Sequence, residues 1–217
     1  MISTILLGTT NGKKILEMRP LLESLGCSLI DLSTMPDYVE VEESGDDFIK
    51  NARIKAITYA TKYRVWTIGE DSGLCVTALN GAPGVYSARY ASLENQRVSL
   101  LPNASNRLTQ DQANNDLLLE RLTGIPVSNR EAHYVSTIVL ASPTGQPVIE
   151  AEGECWGRIV ETPRGLGGFG YDPLFEVIEY HRTFAELGPR VKRVLSHRAR
   201  ALKKFLRRLS ELQNRLA

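Results

Sequence analysis

The sequence predicts an α/β fold, and two observations support this prediction. The chain begins with a strand–helix–strand pattern, which gives a pair of parallel strands in α/β proteins. Two β-rich runs follow later, at 131–141 and 148–156, and Ser142-Pro143-Thr144-Gly145 between them is typical of a hairpin turn. With 217 residues, 42% of them hydrophobic, the chain can bury a core as one domain over 1–217.

The first predicted elements are a buried strand at 4–8, a helix at 13–25 that ends at Gly26, and a strand at 28–32. Pro20 lies inside this helix and should kink it, because its ring clashes with the carbonyl four residues back. A second helix is predicted at 44–63, with Ser44 as its N-cap. The strand that follows, at 65–68, should carry Glu70 and Asp71 at its end, where α/β sheets bind ligands.

The second half of the chain begins with a polar stretch at 91–115, rich in Asn, Ser and Gln, which predicts an exposed loop or insertion. Residues 116–122 are apolar enough to finish a helix. A glycine-rich loop is predicted at 165–170 and a terminal helix at 193–216.

Composition excludes several classes of protein. The chain has 26 basic and 25 acidic residues, which argues against a protein that coats DNA or RNA, so we expect no nucleic-acid partner. Cys27, Cys75 and Cys155 lack zinc-ligand spacing and are expected to be buried thiols in a reducing compartment. The apolar run at 5–7 is too short for a signal peptide or membrane span, so we expect a cytoplasmic protein with no membrane partner.

A candidate phosphate-binding turn follows the first strand and opens the first helix. It contains Thr9, Thr10, Asn11, Gly12, Lys13 and Lys14. Free backbone N–H groups and the helix dipole favour an anion at such a position, although the Walker A pattern is absent. An ordinary Asn-Gly turn with a solvated lysine pair is the alternative.

Glu70 and Asp71 are candidate metal ligands, because adjacent carboxylates suit a magnesium ion that keeps most of its waters. A solvated acidic turn is the alternative. Glu42 and Glu43 precede the second helix and offer either further ligands or charges that complement its dipole.

Other candidate residues are cationic or aromatic. Lys55, Lys192 and Arg198 are each typical of solvated cations, and His197 alone is typical of an exposed or core histidine. Phe169 and Tyr171 could stack on a nucleotide base, which is worth ~1–3 kcal/mol, or could plug the hydrophobic core.

Several motifs in a fixed order resemble the inosine triphosphate pyrophosphatase family, which removes deaminated purine nucleotides such as ITP, dITP and XTP. The motifs are Thr9-x-Asn11-x-x-Lys14, Glu42-Glu43-Ser44-Gly45, Phe48-x-x-Asn51-Ala52 with Lys55, Glu70-Asp71-Ser72-Gly73-Leu74, the run at 81–90, Gly168-Phe169-Gly170-Tyr171-Asp172-Pro173 and Ser196-His197-Arg198. They span nearly the whole chain.

This resemblance implies an α/β fold with an elongated mixed central sheet flanked by helices, two lobes and an active site in the cleft between them. It also implies a homodimer and Mg²⁺-dependent hydrolysis of a purine nucleoside triphosphate to the monophosphate and pyrophosphate. Asp71 would accept a proton from the attacking water and, with Glu43, place Mg²⁺, with Glu70 as a possible further ligand. Residues 9–14, Lys55 and Ser72 would hold the triphosphate.

The nucleoside would be enclosed by Phe169, Gly170, Tyr171, Asp172, Lys192, His197 and Arg198. Donors from His197 and Arg198 would pair with the 6-oxo group of inosine or xanthine. Three features depart from the family: the stretch at 91–115 is longer, the segment at 188–193 is more basic, and Glu70 stands where many relatives carry Asp.

Two alternative functions remain open from sequence. One is a related pyrophosphatase for other nucleotides, such as modified pyrimidines. The other is a non-enzymatic RNA- or nucleotide-binding protein that uses the basic terminal helix, with Lys203, Lys204, Arg207 and Arg208.

Overall fold

The computed structural model describes residues 2–23, 26–94 and 107–216. Within these ranges the chain forms seven strands and five α-helices. The strands are β1 (Thr4–Leu7), β2 (Ser28–Asp31), β3 (Trp66–Val76), β4 (Glu131–Ala141), β5 (Pro147–Ile159), β6 (Phe175–Val177) and β7 (Arg182–Thr183). The helices are α1 (Gly12–Leu22), α2 (Phe48–Tyr63), α3 (Arg107–Arg121), α4 (Phe184–Leu195) and α5 (His197–Leu216).

The strands form one mixed sheet in the order β2-β1-β3-β4-β5-β6-β7. β1 pairs in parallel with β2 and β3, as the strand–helix–strand start predicts, whereas β6 pairs antiparallel with β5 and β7. The predicted α/β class with a mixed sheet is therefore confirmed.

The chain divides into two compact units. Unit 1 contains residues 1–72, 135–154 and 196–217, and unit 2 contains residues 73–134 and 155–195. Each unit has a hydrophobic core of its own.

Unit 1 is layered because the side chains of a strand alternate between the two faces of the sheet. Ile5 and Leu7 of β1 join a core that includes Met18 of α1 and Phe205 of α5. Leu6, between them, packs in a separate cluster with Tyr59 of α2. Helices therefore cover both faces of β1, which is typical of parallel strands.

Unit 2 has an aromatic core. Phe175 and Phe184 stack with ring centroids 5.4 Å apart, and Tyr134 lies 4.7 Å from Phe175. Leu118 of α3 and Tyr171 belong to the same cluster. This core anchors both α3 and the loop that precedes β6.

Strand β3 extends well beyond its predicted end at residue 68. Glu70 and Asp71 lie inside the strand, and both are buried. The prediction of a strand end at residue 68 was wrong, because buried cations pair with both carboxylates and the strand continues through them. The alternative of a solvated acidic turn is excluded for the same reason.

The start of α2 also differs from the prediction. Asp47 is the N-cap, and its side chain accepts a hydrogen bond from the backbone N of Lys50 at 2.7 Å. Ser44 lies before the helix. Both residue types cap helices, so the sequence signal alone did not separate the two positions.

The polar stretch at 91–115 was predicted as an exposed loop, but its last part, from residue 107, is helix α3. Asn114 is buried there, and its amide accepts from the N of Ala91 and donates to the carbonyls of Ser87 and Ala88. Polar residues thus serve as buried partners for the backbone. Residues 95–106 of this stretch lie outside the described residues.

The predicted terminal helix at 193–216 is two helices. Helix α4 ends at Leu195, and α5 begins at His197. Ser196 separates them, and its Oγ accepts from the N of Ala199 at 3.2 Å, as an N-cap does.

Helices in the described ranges are each too short or too polar to cross a bilayer. The three cysteines, all within the described ranges, form no disulfide; Cys27 and Cys155 are buried, and Cys75 is partly exposed.

Candidate active site

A glycine on β3 allows helix α2 to approach the strand closely. A Cβ at Gly69 would lie 2.2 Å from the carbonyl oxygen of Ala52 and 2.6 Å from the N of Ala56, so no side chain fits there. This close packing brings Lys55, between those two helix residues in sequence, next to the carboxylates that follow Gly69.

Lys55 is buried and uses its three ammonium donors on three oxygens. Its Nζ lies 3.0 Å from Glu43 Oε1, 3.1 Å from Asp71 Oδ1 and 3.0 Å from the carbonyl oxygen of Glu70. The two carboxylates therefore face each other across one cation. Lys55 is not the solvated lysine that its isolated position in the sequence suggests.

Glu70 is the centre of a second group of charges. Its Oε1 accepts from Arg198 Nε at 3.1 Å and from Ser136 Oγ at 2.8 Å, and its Oε2 lies 2.7 Å from Lys14 Nζ. Glu70 is 2% exposed. Both of its oxygens are thus engaged by protein groups.

Arg198 is buried and bonds with all three of its nitrogens. Besides Glu70, it pairs with Glu17 of α1 through Nη1 and donates from Nη2 to Ser72 Oγ at 2.9 Å. These bonds use three of the five N–H donors of the guanidinium. Recognition of a base by this side chain stays a prediction. His197, next to it, is also buried.

Burial and charge shift the pKa values of this cluster in opposite directions. Burial raises the pKa of the Asp71 carboxyl and outweighs the opposing charges of Lys55 and Lys14. Burial also opposes ionisation of Glu70, but Arg198 and Lys14 outweigh it and hold the pKa of Glu70 well below its usual range. Adjacent carboxylates thus differ, with Asp71 the easier of the two to protonate.

The turn at 9–14 is a helix start, as the sequence predicts. Asn11 is the N-cap of α1, and its Oδ1 accepts from the N of Lys13 at 3.1 Å. Thr9 Oγ1 accepts from the N of Asn11 at 3.1 Å, while the Thr10 side chain is exposed. The alternative of two solvated lysines is wrong for Lys14, because its ammonium group pairs with Glu70.

The candidate nucleoside residues of unit 2 form a separate cluster. Lys192 Nζ lies 2.6 Å from Asp172 Oδ2 and 4.1 Å from the centroid of the Phe169 ring. Asp172 Oδ2 also accepts from the N of Phe169 at 2.9 Å. Phe169 is partly exposed, whereas Lys192 and Asp172 are buried. A partly exposed ring is thus held over a buried cation.

Tyr171 and Gly170 are fixed by their surroundings. Tyr171 lies in the core, and its hydroxyl donates to the carbonyl of Ser87 at 2.9 Å, which fits the hydrophobic-plug interpretation. The N of Gly170 donates to Asp111 Oδ2, and its carbonyl accepts from Asn115 Nδ2, both on α3. These two helix residues are contacts that the sequence did not indicate.

The structure brings the predicted residues of unit 1 into two linked groups on β3. The sequence interpretation missed three of their partners: Glu17, Ser136 and Asn51. Asn51 was visible within the Phe48-x-x-Asn51 motif, and Glu17 lies three residues after Lys14 on one helix face. The sequence carries no signal for the role of Ser136, because its contact with Glu70 on β3 depends on how the strands pair in the sheet.

The described residues contain no group of three or more His, Cys, Asp and Glu side chains arranged to hold a metal. Glu43 and Asp71 present a pair of carboxylates, and magnesium typically uses one or two carboxylates together with water and substrate phosphates. The donor set therefore fits Mg²⁺.

The chain is similar to known proteins over nearly its whole length. A dITP/XTP pyrophosphatase of Rhodopirellula baltica is 43% identical over 208 residues, which are 96% of this chain and 93% of the relative. A second dITP/XTP pyrophosphatase, of Desulforamulus reducens, is 42% identical over 212 residues, 98% of this chain and 96% of the relative.

Solved structures show the same fold. A HAM1 protein from Coxiella burnetii superposes with a TM-score of 0.80 at 35% identity, covering 96% of this chain and 99% of the other. A nucleoside-triphosphatase / dITP/XTP pyrophosphatase from Mycobacterium abscessus gives 0.73 at 40% identity, covering 95% and 99%. The sequence model of the Ham1 family matches residues 5–208. This chain belongs to the Ham1 family.

Proposed function

We propose that this protein is a nucleoside triphosphate pyrophosphatase that hydrolyses the non-standard purine nucleotides dITP, XTP and ITP to monophosphate and pyrophosphate. The names of the relatives, matched over nearly the whole chain, support the substrate class. The observation that carries the proposal is the buried Asp71 carboxylate, held against Lys55 and facing Glu43.

Glu43 and Asp71 would hold Mg²⁺. The ion, when bound, supplies positive charge that neutralises the phosphate oxygens. Glu70 suits a different role, because Arg198, Ser136 and Lys14 already occupy its two oxygens. We infer that Glu70 fixes these cations rather than ligating the metal directly.

Asp71 would accept a proton from the water that attacks the α-phosphorus. The bond from that phosphorus to the oxygen bridging the β-phosphorus would then break, and pyrophosphate would leave with the bond electrons. A general base acts best with a pKa near the working pH, and the upward shift of Asp71 is in that direction. Lys14 and Lys55 would stabilise the negative charge on the leaving group.

Selectivity would depend on the purine 6-position. Inosine and xanthine present an acceptor there and adenine a donor, so a buried protein donor such as that of His197 would be left unpaired by adenine. Such a mismatch costs about 1–3 kcal/mol, or roughly 5- to 150-fold in selectivity. The nucleoside roles of Phe169 to Asp172 and Lys192, and the homodimer, stay predictions.

An assay of products tests the proposal. The purified protein is incubated with dITP, XTP, ITP, GTP, ATP and dTTP, with and without Mg²⁺, and pyrophosphate, orthophosphate and nucleotide products are quantified. We expect pyrophosphate and monophosphate from the first three substrates, and no turnover after chelation. Nucleoside diphosphate with orthophosphate would contradict the reaction, and a preference for dTTP would favour a pyrimidine enzyme.

A further inference from the structure

Asn51, in the first turn of α2, belongs to a motif that the proposed reaction leaves unexplained. It is 0% exposed. A fully buried amide must find hydrogen-bond partners, because an unpaired one costs about 1–3 kcal/mol. Its partners therefore indicate why an amide is needed at this position.

The side-chain amide of Asn51 bonds both backbone polar groups of Gly45. Its Oδ1 accepts from the N of Gly45 at 2.8 Å, and its Nδ2 donates to the carbonyl of Gly45 at 3.3 Å. A Cβ at Gly45 would lie 2.7 Å from Asn51 Oδ1 and 2.8 Å from the Cβ of Lys50. The segment that carries Glu43, two residues earlier, is thus docked closely on the start of α2.

The same amide reaches Asp71. Asn51 Nδ2 lies 3.3 Å from Asp71 Oδ2, while Lys55 holds the other oxygen, Oδ1. The orientation of the amide follows from its contacts, because only its oxygen can accept from the N of Gly45. Both oxygens of Asp71 are therefore fixed, one by a cation and one by a neutral donor.

We propose that Asn51 is a positioning residue that couples the Glu43 segment to Asp71, so that both carboxylates stay oriented toward one Mg²⁺ ion and one water. The inference rests on the proposed function and deepens it. Asn51 acts through Gly45 and Asp71, and an aspartate there would repel Asp71. Small misplacement of reacting groups can lower a rate by about 100-fold.

Steady-state kinetics with dITP tests the coupling. We expect Asn51→Ala to lower kcat about 10- to 100-fold with KM within about threefold, and Asn51→Asp to lower kcat further. The matched control is Tyr59→Phe. The Tyr59 hydroxyl accepts from the N of Val41 and donates to the carbonyl of Val39. Both residues lie earlier in the segment than Glu43, so loss of the hydroxyl should change kcat less than about threefold.

Amide hydrogen exchange of the metal-free protein gives a readout independent of activity. In Asn51→Ala the peptide containing Gly45 should exchange about 10-fold faster, whereas peptides of β3 should not change. A wild type that releases no pyrophosphate would defeat the proposed function, while this measurement would still decide whether Asn51 holds the segment.

Two results would overturn the inference: a folded Asn51 variant with kcat within threefold of wild type, or a loss in Tyr59→Phe equal to that in Asn51→Ala. Should Asn51→Ala not fold, Gly45→Ala decides the case, because its methyl group displaces the contact while leaving Asn51 in place. It must then reproduce the loss of kcat.

Discussion

Two charged clusters, one in each unit, are built differently. In unit 1, Glu70 has two cationic partners, Lys14 and Arg198, and a hydroxyl. In unit 2, Asp172 pairs with the cation of Lys192 and accepts from the backbone N of Phe169. Both carboxylates are buried, yet one belongs to a network and the other to a pair.

The difference predicts how the stability of each cluster responds when a charged side chain is removed. Removing one cation of the network leaves the other charges partly compensated. Losing the shared carboxylate takes an anionic partner from both Lys14 and Arg198, and Arg198 then keeps Glu17. Removing one member of the pair takes the opposite charge away from the other, whereas removing both removes both charges. Breaking a buried pair costs about 3–5 kcal/mol, whereas replacing the whole pair is often neutral.

The largest expected effect is on activity. Asp71→Asn should lower kcat about 10²- to 10⁴-fold, because the proposed proton acceptor is lost, while the fold persists with Lys55 still paired to Glu43. Pyrophosphate release and thermal unfolding measure the two effects. Asp46→Asn is the control, since Asp46 is exposed and pairs with Lys50. Undiminished kcat in Asp71→Asn would remove Asp71 from the reaction.

The next-largest effect is expected when the network loses its shared carboxylate, Glu70. Glu70→Gln should lower the free energy of unfolding by about 3–5 kcal/mol, because Lys14 and Arg198 lose their common anion. Denaturant unfolding measures the loss. Adding Lys14→Met should not restore stability, since Arg198 remains. A restored double variant would show that the cluster is a simple pair.

The pair in unit 2 should behave in the opposite way. Lys192→Met is expected to cost about 3 kcal/mol, because the buried Asp172 carboxylate loses the cation that it pairs with. The double variant Asp172→Asn/Lys192→Met should recover at least half of that loss in the same unfolding experiment. Additive losses would contradict the contrast between the two clusters.

The smallest effect concerns a carboxylate between two half-exposed arginines. Glu176 pairs with Arg158 and Arg164, and although burial opposes its ionisation, they hold its pKa below the usual value. A lowered pKa in the folded state stabilises the protein above the unfolded pKa, and this is lost as pH falls through the folded value. Glu176→Gln should therefore cost about 1 kcal/mol at pH 7 and less below pH ~4.5.

Unfolding curves from pH 7 to pH 3 measure this dependence. Glu179→Gln, at an exposed position near by in sequence, is the control and should show no such trend. A pH-independent loss in Glu176→Gln would mean that packing, rather than charge, is responsible.

The α/β class, the parallel start and the candidate residues in order along the chain were all predictable from the sequence. Local patterns carry this information, because hydrophobic periodicity, turn residues and short motifs act over a few neighbours. The helix that opens at the 9–14 turn and the hairpin at 142–145 are examples, and both were predicted from adjacent residues.

Which charges are buried, and what they contact, depends on the folded arrangement of the helices and strands. In sequence, Glu70 and Asp71 resemble the polar end of a strand. In the structure, Lys14, Lys55 and Arg198 from three different helices pair with them. The same holds for Asn114, whose amide looks solvent-exposed in sequence. A buried polar group is stable only with its partners, and partners distant in sequence are supplied by the fold.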